Sequence, residues 1–411
     1  MKNAFSYEPV PIAETLEIAS TKFSADRLPK GVRILDNIGI AAVDALDGAM
    51  LYRSCTEMFE VRATITPGGD YLVMFPVGAH YGGSSQKSNT MMAMRSPDKG
   101  KTWSNPYIAL HIDYNQHGFI PLIPKGSKRI YSFGTQPVWG LYTRERGLRE
   151  NAPIGYFYSD DDGYNWTGPT IINPVNDPGY TGMAVLRMCE TSKGTWLIGT
   201  HEGGMPGTNQ YVLRSEDHGK TWELLPGRRT NGWHVMPFHR MDEGFPIQVG
   251  ERILFMVRTP EGHLWALWSD DDGKTWTEPR PTPLVHPDAP PMLAHLSDGK
   301  TLICLHHNRH HDLDYTGLDI NKECLMGDRA EIWASFSNDC GETWSEPGFL
   351  YCNAAIHDLP APFFNYACSY NDMFMDGDTL NIFLSHRWRQ ALHLKIKESE
   401  LYSLPKKINL L

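Results

Sequence analysis

One short phrase occurs five times in the chain and constrains its fold more than any other feature. The phrase has the frame S-x-D-x-G-x-T-W, with Asn165 in place of Thr in one copy. The copies end at five tryptophans, separated by 63, 56, 54 and 68 residues: Trp103, Trp166, Trp222, Trp276 and Trp344. A fixed phrase at this spacing is typical of a stacked or radial repeat.

Each copy of the phrase is typical of a turn between two strands. Ser and Asp side chains can bond nearby backbone N–H groups, Gly supplies a positive φ, and a buried Trp anchors the next strand. A strand-like stretch such as EIWASFS precedes each copy, and strand pairs such as GFPIQVGERILFMVR lie further upstream. One unit is therefore about four antiparallel strands, which is the blade of a propeller.

The repeats predict an all-β protein, a six-bladed β-propeller of four-stranded antiparallel blades. Five copies give five blades, and a sixth begins near Tyr366 with strands around 366–373, 379–384 and 391–396. An early strand at 48–55 can supply its fourth strand and close the ring. We expect 1–45 to form an N-terminal extension packed on the propeller, 46–396 a single catalytic domain, and 397–411 a C-terminal tail.

Composition excludes several classes of protein. The chain has 38 Lys and Arg against 48 Asp and Glu, a formal charge of −10, so we expect no nucleic-acid partner. It contains no apolar run long enough to span a membrane. Seven scattered cysteines without a C-x-x-C pair argue against a disulfide framework or a zinc site. Without a visible signal peptide, we expect a cytoplasmic protein, with a secreted, trimmed form and the oligomeric state left open.

The repeated phrase resembles the Asp-box, or BNR repeat, of the sialidase (neuraminidase) superfamily, and the resemblance covers most of 48–396. It implies that the boxes stabilise turns on the outer rim, while the chemistry lies in a funnel on the propeller axis. Because Asp-boxes also occur in propellers that are not sialidases, function has to be argued from the axial residues.

The family pattern implies three arginines that hold a substrate carboxylate. Arg62 resembles the first, on the first strand of blade one, and Arg258 resembles the second, from blade four. Arg329, just before the strand that leads into the fifth box, resembles the third, with Arg309 as its competitor. Guanidinium groups suit this task because they bind carboxylates in a bidentate manner that Lys cannot match.

The same pattern implies the reacting groups. Tyr370 resembles the family's nucleophilic tyrosine on blade six, and Glu243 resembles its partner glutamate, 15 residues before Arg258. A neutral Tyr avoids the repulsion between a carboxylate nucleophile and the substrate carboxylate, and Glu243 can take its proton. The resemblance implies a retaining mechanism through a glycosyl-tyrosine intermediate, with no cofactor.

One part of the family pattern is missing. The family's general acid is an Asp in the loop after the second strand of blade one, but here no Asp or Glu lies between Asp70 and Asp98. We expect His80 to substitute because imidazole donates a proton near neutral pH, with Tyr81 as a second option.

Histidines are frequent in stretches that we expect to be loops at strand ends. His117 is a candidate for substrate binding there, and the same pattern includes His201, His234, His239, His306, His307, His310 and His311. The run HHNRHH could suggest a metal site, but its flanks are a strand and a polar loop rather than a helix, so we expect no metal.

The sequence predicts a sialidase-like exo-glycosidase whose partner is a glycan with an acidic terminal sugar. Two alternatives stay open. One is a lyase or hydrolase of uronic-acid glycans that uses His and Tyr as acid and base. The other is a carbohydrate-binding propeller without activity, which would agree with the missing Asp.

Overall fold

The structure is a computed structural model, and its secondary structure and contacts are described for fifteen stretches of the chain. These are 6–7, 10–11, 30–35, 40–54, 58, 60–77, 89–112, 120–135, 151–183, 186–203, 207–236, 239–309, 329–353, 367–386 and 389–406. They form an all-β, six-bladed propeller of four-stranded antiparallel blades. The predicted fold is confirmed.

The four strands follow one another along the chain in blades one to five, whereas blade six takes its fourth strand from upstream of blade one. Blade one comprises Arg62–Ile65, Tyr71–Val77, Asn89–Ser96 and Tyr107–Ile112; blade two comprises Ile120–Leu122, Ile130–Thr135, Ile154–Ser159 and Thr167–Ile171; blade three comprises Cys189–Glu190, Trp196–Gly203, Thr208–Ser215 and Glu223–Leu225. Blade four comprises Asp242–Val249, Arg252–Arg258, His263–Ser269 and Arg280–Val285; blade five comprises Met292–His295, Leu302–His306, Glu331–Ser337 and Gly348–Cys352; blade six comprises Asp372–Asp376, Thr379–His386, Gln390–Lys397 and Asp47–Arg53. Smaller elements are the strands Ser6–Tyr7, Val10–Pro11, Val32–Leu35, Ile40–Val43 and Trp103–Ser104, the 3-10 helix Arg228–Thr230 and the α-helix Glu398–Leu401.

Blade six closes the ring with strands from both ends of the propeller. The strand Asp47–Arg53 pairs antiparallel with Gln390–Lys397, as the sequence predicted for the early strand. Upstream of it, Ile40–Val43 pairs with Gly348–Cys352 and with Val32–Leu35, so the sheet of blade five has two further strands. These two strands lie within the range predicted as an N-terminal extension, whose boundaries stay a prediction.

The first strand of each blade lies towards the axis. From blade three through blades four, five, six and one to blade two, the first strands of successive blades contact each other, and those of blades six and one meet where the ring closes. Between the blades, aliphatic and aromatic side chains form the core; Phe133 and Trp196, for example, pack edge to face across blades two and three. Five cysteines in the described residues are buried free thiols: Cys189, Cys304, Cys340, Cys352 and Cys368. Within the described part of the chain, no helix is long and apolar enough to cross a membrane.

Each Asp-box is a turn held by its own side chains. In the box of blade three, Asp217 accepts hydrogen bonds from the Thr221 backbone N–H at 2.9 Å and from the Thr221 hydroxyl at 2.7 Å. Gly219 donates its N–H to the Ser215 hydroxyl at 2.9 Å. Both His218 and Gly219 have positive φ, 55° and 80°. The predicted Gly conformation is confirmed, and the residue before Gly shares it.

Candidate active site at the propeller axis

Three of the predicted residues meet in one hydrogen-bonded group. The Tyr370 hydroxyl donates to Glu243 Oε1 at 2.7 Å. Arg258 Nη1 donates to Glu243 Oε2 at 2.6 Å and to the Tyr370 hydroxyl oxygen at 3.1 Å. Tyr370, Glu243 and Arg258 are 7%, 4% and 7% exposed. Glu243 is thus oriented to accept the Tyr370 proton, and Arg258 neutralises its charge in a site where an unpaired carboxylate would be costly.

The local backbone explains how these side chains are presented. Glu243 lies on the innermost strand of blade four, Asp242–Val249, and Arg258 ends the next strand. Tyr370 lies two residues before the innermost strand of blade six, Asp372–Asp376, rather than on it. Glu243 and Tyr370 both have positive φ, 47° and 62°. Such backbone conformations are uncommon for residues other than Gly and are found preferentially at functional sites.

A second layer of charged residues holds Arg258, and sequence reasoning missed it. Arg258 Nε donates to Asp288 Oδ1 at 2.6 Å, and Arg240 Nη1 donates to Asp288 Oδ2 at 2.9 Å. Arg240 Nε also donates to Asp242 at 2.9 Å. Asp242 adjoins Glu243, and Asp288 precedes the first strand of blade five much as Tyr370 precedes that of blade six. This shared position, just before the first strand of a blade, could have identified Asp288 as a site residue.

The charges in this layer stabilise one another. Burial alone would lower the pKa of Arg258, but the carboxylates of Asp288 and Glu243 outweigh burial and raise it well above its usual value. Burial would likewise raise the pKa of Asp288, but Arg240 and Arg258 lower it well below its usual range. Both groups are therefore charged at neutral pH, and the buried network depends on keeping all its partners.

Arg62 lies beside the segment that contains Tyr370. It begins the first strand of blade one, and its Nη1 donates to the backbone carbonyl of Asn371 at 3.3 Å. Its Nε donates to Glu60 Oε2 at 3.3 Å, and Glu60, which is fully buried, was also missed from sequence. Arg62 therefore contacts the residue next to Tyr370, while Glu60 fixes its guanidinium group.

Arg329, rather than its competitor Arg309, lies beside Tyr370. The Arg329 guanidinium carbon is 6.0 Å from the centre of the Tyr370 ring, and Nη1 donates to the Ser369 hydroxyl at 3.4 Å. Arg309 instead donates to Glu331 at 2.8 Å. Arg329 Nε is buried without an acceptor among the described residues, and burial lowers the pKa of this arginine. A buried donor without an acceptor suits a residue that awaits a substrate anion.

The histidine predictions have different outcomes. His80, Tyr81, His117, His310 and His311 lie outside the described residues, so the general acid and the binding role of His117 stay predictions. The expectation of strand-end loops is wrong for two histidines, because His201 lies within the strand Trp196–Gly203 and His306 within Leu302–His306. Both strands continue further than the polar residues around them indicated. No group of three or more His, Cys, Asp or Glu side chains that could hold a metal ion occurs in the described ranges.

Comparison with known proteins gives the family. A model for a BNR repeat-like domain matches residues 130–382, more than half of the chain. The chain belongs to this BNR repeat-like family. No curated protein sequence matches it.

Solved structures share the fold of this BNR repeat-like protein at low sequence identity. The Hadza microbial sialidase Hz136 superposes with a TM-score of 0.60 and 18% identity, over 87% of this chain and 69% of that one. A protein of unknown function from Dyadobacter fermentans gives 0.59 and 15%, over 86% and 100%. Trypanosoma rangeli sialidase, in complex with 2,3-difluorosialic acid as a covalent intermediate, gives 0.58 and 14%, over 88% and 60%. At these identities the likeness shows the fold alone.

Proposed function

We propose that this protein is a sialidase-like exo-glycosidase that removes an acidic terminal sugar, sialic acid or a similar one, from a glycan. The observation that carries the proposal is the buried 2.7 Å hydrogen bond from the Tyr370 hydroxyl to Glu243. A tyrosine with an adjacent carboxylate base is an activated nucleophile, and tyrosine is the nucleophile that sialidases use. Structural neighbours that are sialidases support the same class.

In the proposed mechanism Glu243 takes the hydroxyl proton as the Tyr370 oxygen attacks the anomeric carbon. The bond to the leaving group breaks, and a general acid protonates the departing oxygen; His80 is our candidate for that acid. Water then attacks the anomeric carbon and gives a proton to the deprotonated general acid, while the bond to the tyrosine oxygen breaks and Glu243 returns its proton to that oxygen. Two displacements at one carbon retain its configuration.

The arginines around Tyr370 would bind the substrate carboxylate. Arg258 uses Nε and Nη1 in its contacts with described residues, so its Nη2 group is the one directed to a ligand in this proposal. Arg329 Nε is a second donor without an acceptor among the described residues. Two such donors from blades four and five would hold a planar carboxylate beside the Tyr370 oxygen.

Hydrolysis of a fluorogenic α-sialoside tests the proposal, with wild type compared with Tyr370→Phe. We expect turnover by wild type and a loss of at least about a thousandfold in the variant, because removal of a nucleophile takes away most of the catalysis. Tyr402→Phe is the matched control, since Tyr402 is 55% exposed and lies after the helix Glu398–Leu401. Equal turnover by Tyr370→Phe and wild type would contradict the assignment.

Two further assays separate the alternatives. A lyase acting on uronic-acid glycans would release an unsaturated product that absorbs in the near ultraviolet. A carbohydrate-binding propeller would show saturable binding without product at any protein concentration. Either result would leave the fold in place and contradict the hydrolase.

A further inference from the structure

The backbone that presents Glu243 is irregular. On the innermost strand of blade four, Asp242 pairs with Arg258 and Phe245 pairs with Met256. Glu243 and Gly244 therefore stand opposite one residue of the next strand, which is a β-bulge. Glu243 also has a φ of 47°, and a left-handed residue other than Gly costs about 1–3 kcal/mol unless its surroundings determine it.

Two side chains of blade three bind the backbone of this bulge. The Glu243 N–H donates to His201 Nδ1 at 3.3 Å, and the Gly244 N–H donates to Gln210 Oε1 at 2.9 Å. His201 and Gln210 are direct cross-strand partners on the second and third strands of that blade. They are 5% and 0% exposed, so water does not readily replace them as acceptors.

Both acceptors are fixed in orientation. The Gln210 amide nitrogen donates to the backbone carbonyls of Thr200 at 2.6 Å and Tyr211 at 2.8 Å, so its oxygen has to face Gly244. His201 accepts through Nδ1, which requires that this nitrogen carry no proton.

The bulge also packs closely against blade three. A methyl group at Gly199, on the same strand as His201, would lie 2.0 Å from the Gly244 carbonyl oxygen. Blade three therefore approaches the bulge to backbone contact and supplies both its acceptors. Side-chain packing between two blades requires neither this backbone contact nor these hydrogen bonds.

We propose that His201 and Gln210 are positioning residues that hold the Glu243–Gly244 bulge and so set the Glu243 carboxylate against the Tyr370 hydroxyl. The proposal rests on the proposed function, since the orientation of Glu243 affects turnover only if Glu243 takes the Tyr370 proton. In this arrangement His201 acts through the Glu243 backbone N–H and Gln210 acts through the Gly244 backbone N–H.

The test compares His201→Leu with His201→Asn. Leu removes the acceptor, whereas Asn places its oxygen at the position of Nδ1. We expect His201→Leu to lower kcat about 10- to 100-fold with KM within about threefold of wild type, and to displace the limb of the pH–kcat profile set by the Tyr370–Glu243 pair. His201→Asn should recover most of that loss.

The matched control is His306→Leu. His306 is also buried, on the second strand of blade five, but it bonds the Val285 carbonyl and the Ser335 hydroxyl, both outside the Tyr370 group. A loss of kcat in His306→Leu equal to that in His201→Leu, or wild-type kcat and pH profile in His201→Leu, would overturn the proposal. If His201→Leu does not fold, Gln210→Met is the alternative variant. It removes the second acceptor with a side chain of similar size, and the proposal requires the same fall in kcat.

Crystal structures of the two His201 variants separate this proposal from the proposed function. We expect the distance from Tyr370 to Glu243 Oε1 to exceed hydrogen-bonding range in His201→Leu and to stay near 2.7 Å in His201→Asn. An intact Tyr370–Glu243 bond in His201→Leu contradicts the positioning role even if wild type hydrolyses sialosides. If Glu243 is displaced in His201→Leu and wild type does not hydrolyse sialosides, the positioning role is supported and the hydrolase is contradicted.

Discussion

The Asp-boxes and the axial site are built in opposite ways. In a box, the hydrogen bonds of Asp217 reach residues only two to four positions away. In the axial site, Tyr370 bonds Arg258 and Glu243 across 112 and 127 positions. A box can therefore form from its own eight residues, whereas the axial site exists only when blades four and six are assembled in the same ring.

This difference predicts how the two regions respond to mutation. A box substitution removes local bonds and should lower stability without changing the chemistry of the folded protein. An axial substitution should change turnover or substrate affinity while the ring, held by its six sheets, stays folded.

The largest effect is expected for Glu243→Gln. Gln keeps the shape of the side chain but cannot take the Tyr370 proton, so we expect kcat for an α-sialoside to fall about 10²- to 10⁴-fold. Steady-state kinetics measure this, with Glu251→Gln as control because Glu251 is exposed in the turn at the other end of the same strands. A kcat for Glu243→Gln within about threefold of wild type would contradict its role as the base.

A smaller effect is expected for Arg329→Lys. Lysine keeps the charge but loses the planar, bidentate donor, so KM for a sialoside should rise about 10- to 100-fold. Arg309→Lys serves as the comparison, because Arg309 pairs with Glu331 and should change KM less. If the two variants show the opposite order, Arg309 is the third arginine after all.

Asp217→Ala should affect stability alone. It removes the four hydrogen bonds that Asp217 accepts within its box, and we expect the free energy of unfolding to fall by about 1–2 kcal/mol. Urea unfolding measures this, with the exposed Glu223→Ala on the next strand as control. A fall in kcat beyond about threefold for the folded variant would show that the Asp-box affects the chemistry of the axial site.

The smallest effect is the acid sensitivity of one box. Burial alone would raise the pKa of Asp217, but hydrogen bonds from Thr221 and Ser215 outweigh it and lower the pKa to about 2. A carboxyl group with a lowered folded-state pKa stabilises the fold above its unfolded pKa, about 3.9, and this contribution is lost as pH falls towards 2.

The difference in unfolding free energy between wild type and Asp217→Asn should therefore be largest above about pH 4 and shrink towards pH 2. Urea unfolding across that range measures it. A difference that stays constant with pH would mean that the box does not hold the ionised form of Asp217.

The sequence predicted the Asp-boxes better than the axial site because the hydrogen bonds of a box join residues that are close in the chain. The five boxes and the closing strand were visible as turn chemistry and strand patterns. Arg62, Glu243, Arg258, Arg329 and Tyr370 were predicted as site residues because their blade order resembles the sialidase pattern. Asp288 and Glu60 were missed because ion pairs between distant segments leave no pattern in the chain.

His201 was misplaced for a related reason. Its surroundings, GTHEGG, suggest a loop, but pairing with the next strand extends Trp196–Gly203 past the polar residues. Its bond to the Glu243 backbone depends on the contact between blades three and four, which no periodicity in the sequence reports.

The most direct test of the central claim, that Tyr370 is a nucleophile activated by Glu243, is covalent trapping with 2,3-difluorosialic acid followed by peptide mass spectrometry. We expect the sugar adduct on the peptide that contains Tyr370, and no adduct in Tyr370→Phe. An enzyme that hydrolyses sialosides but carries the adduct on another residue, or carries none, would contradict the claim.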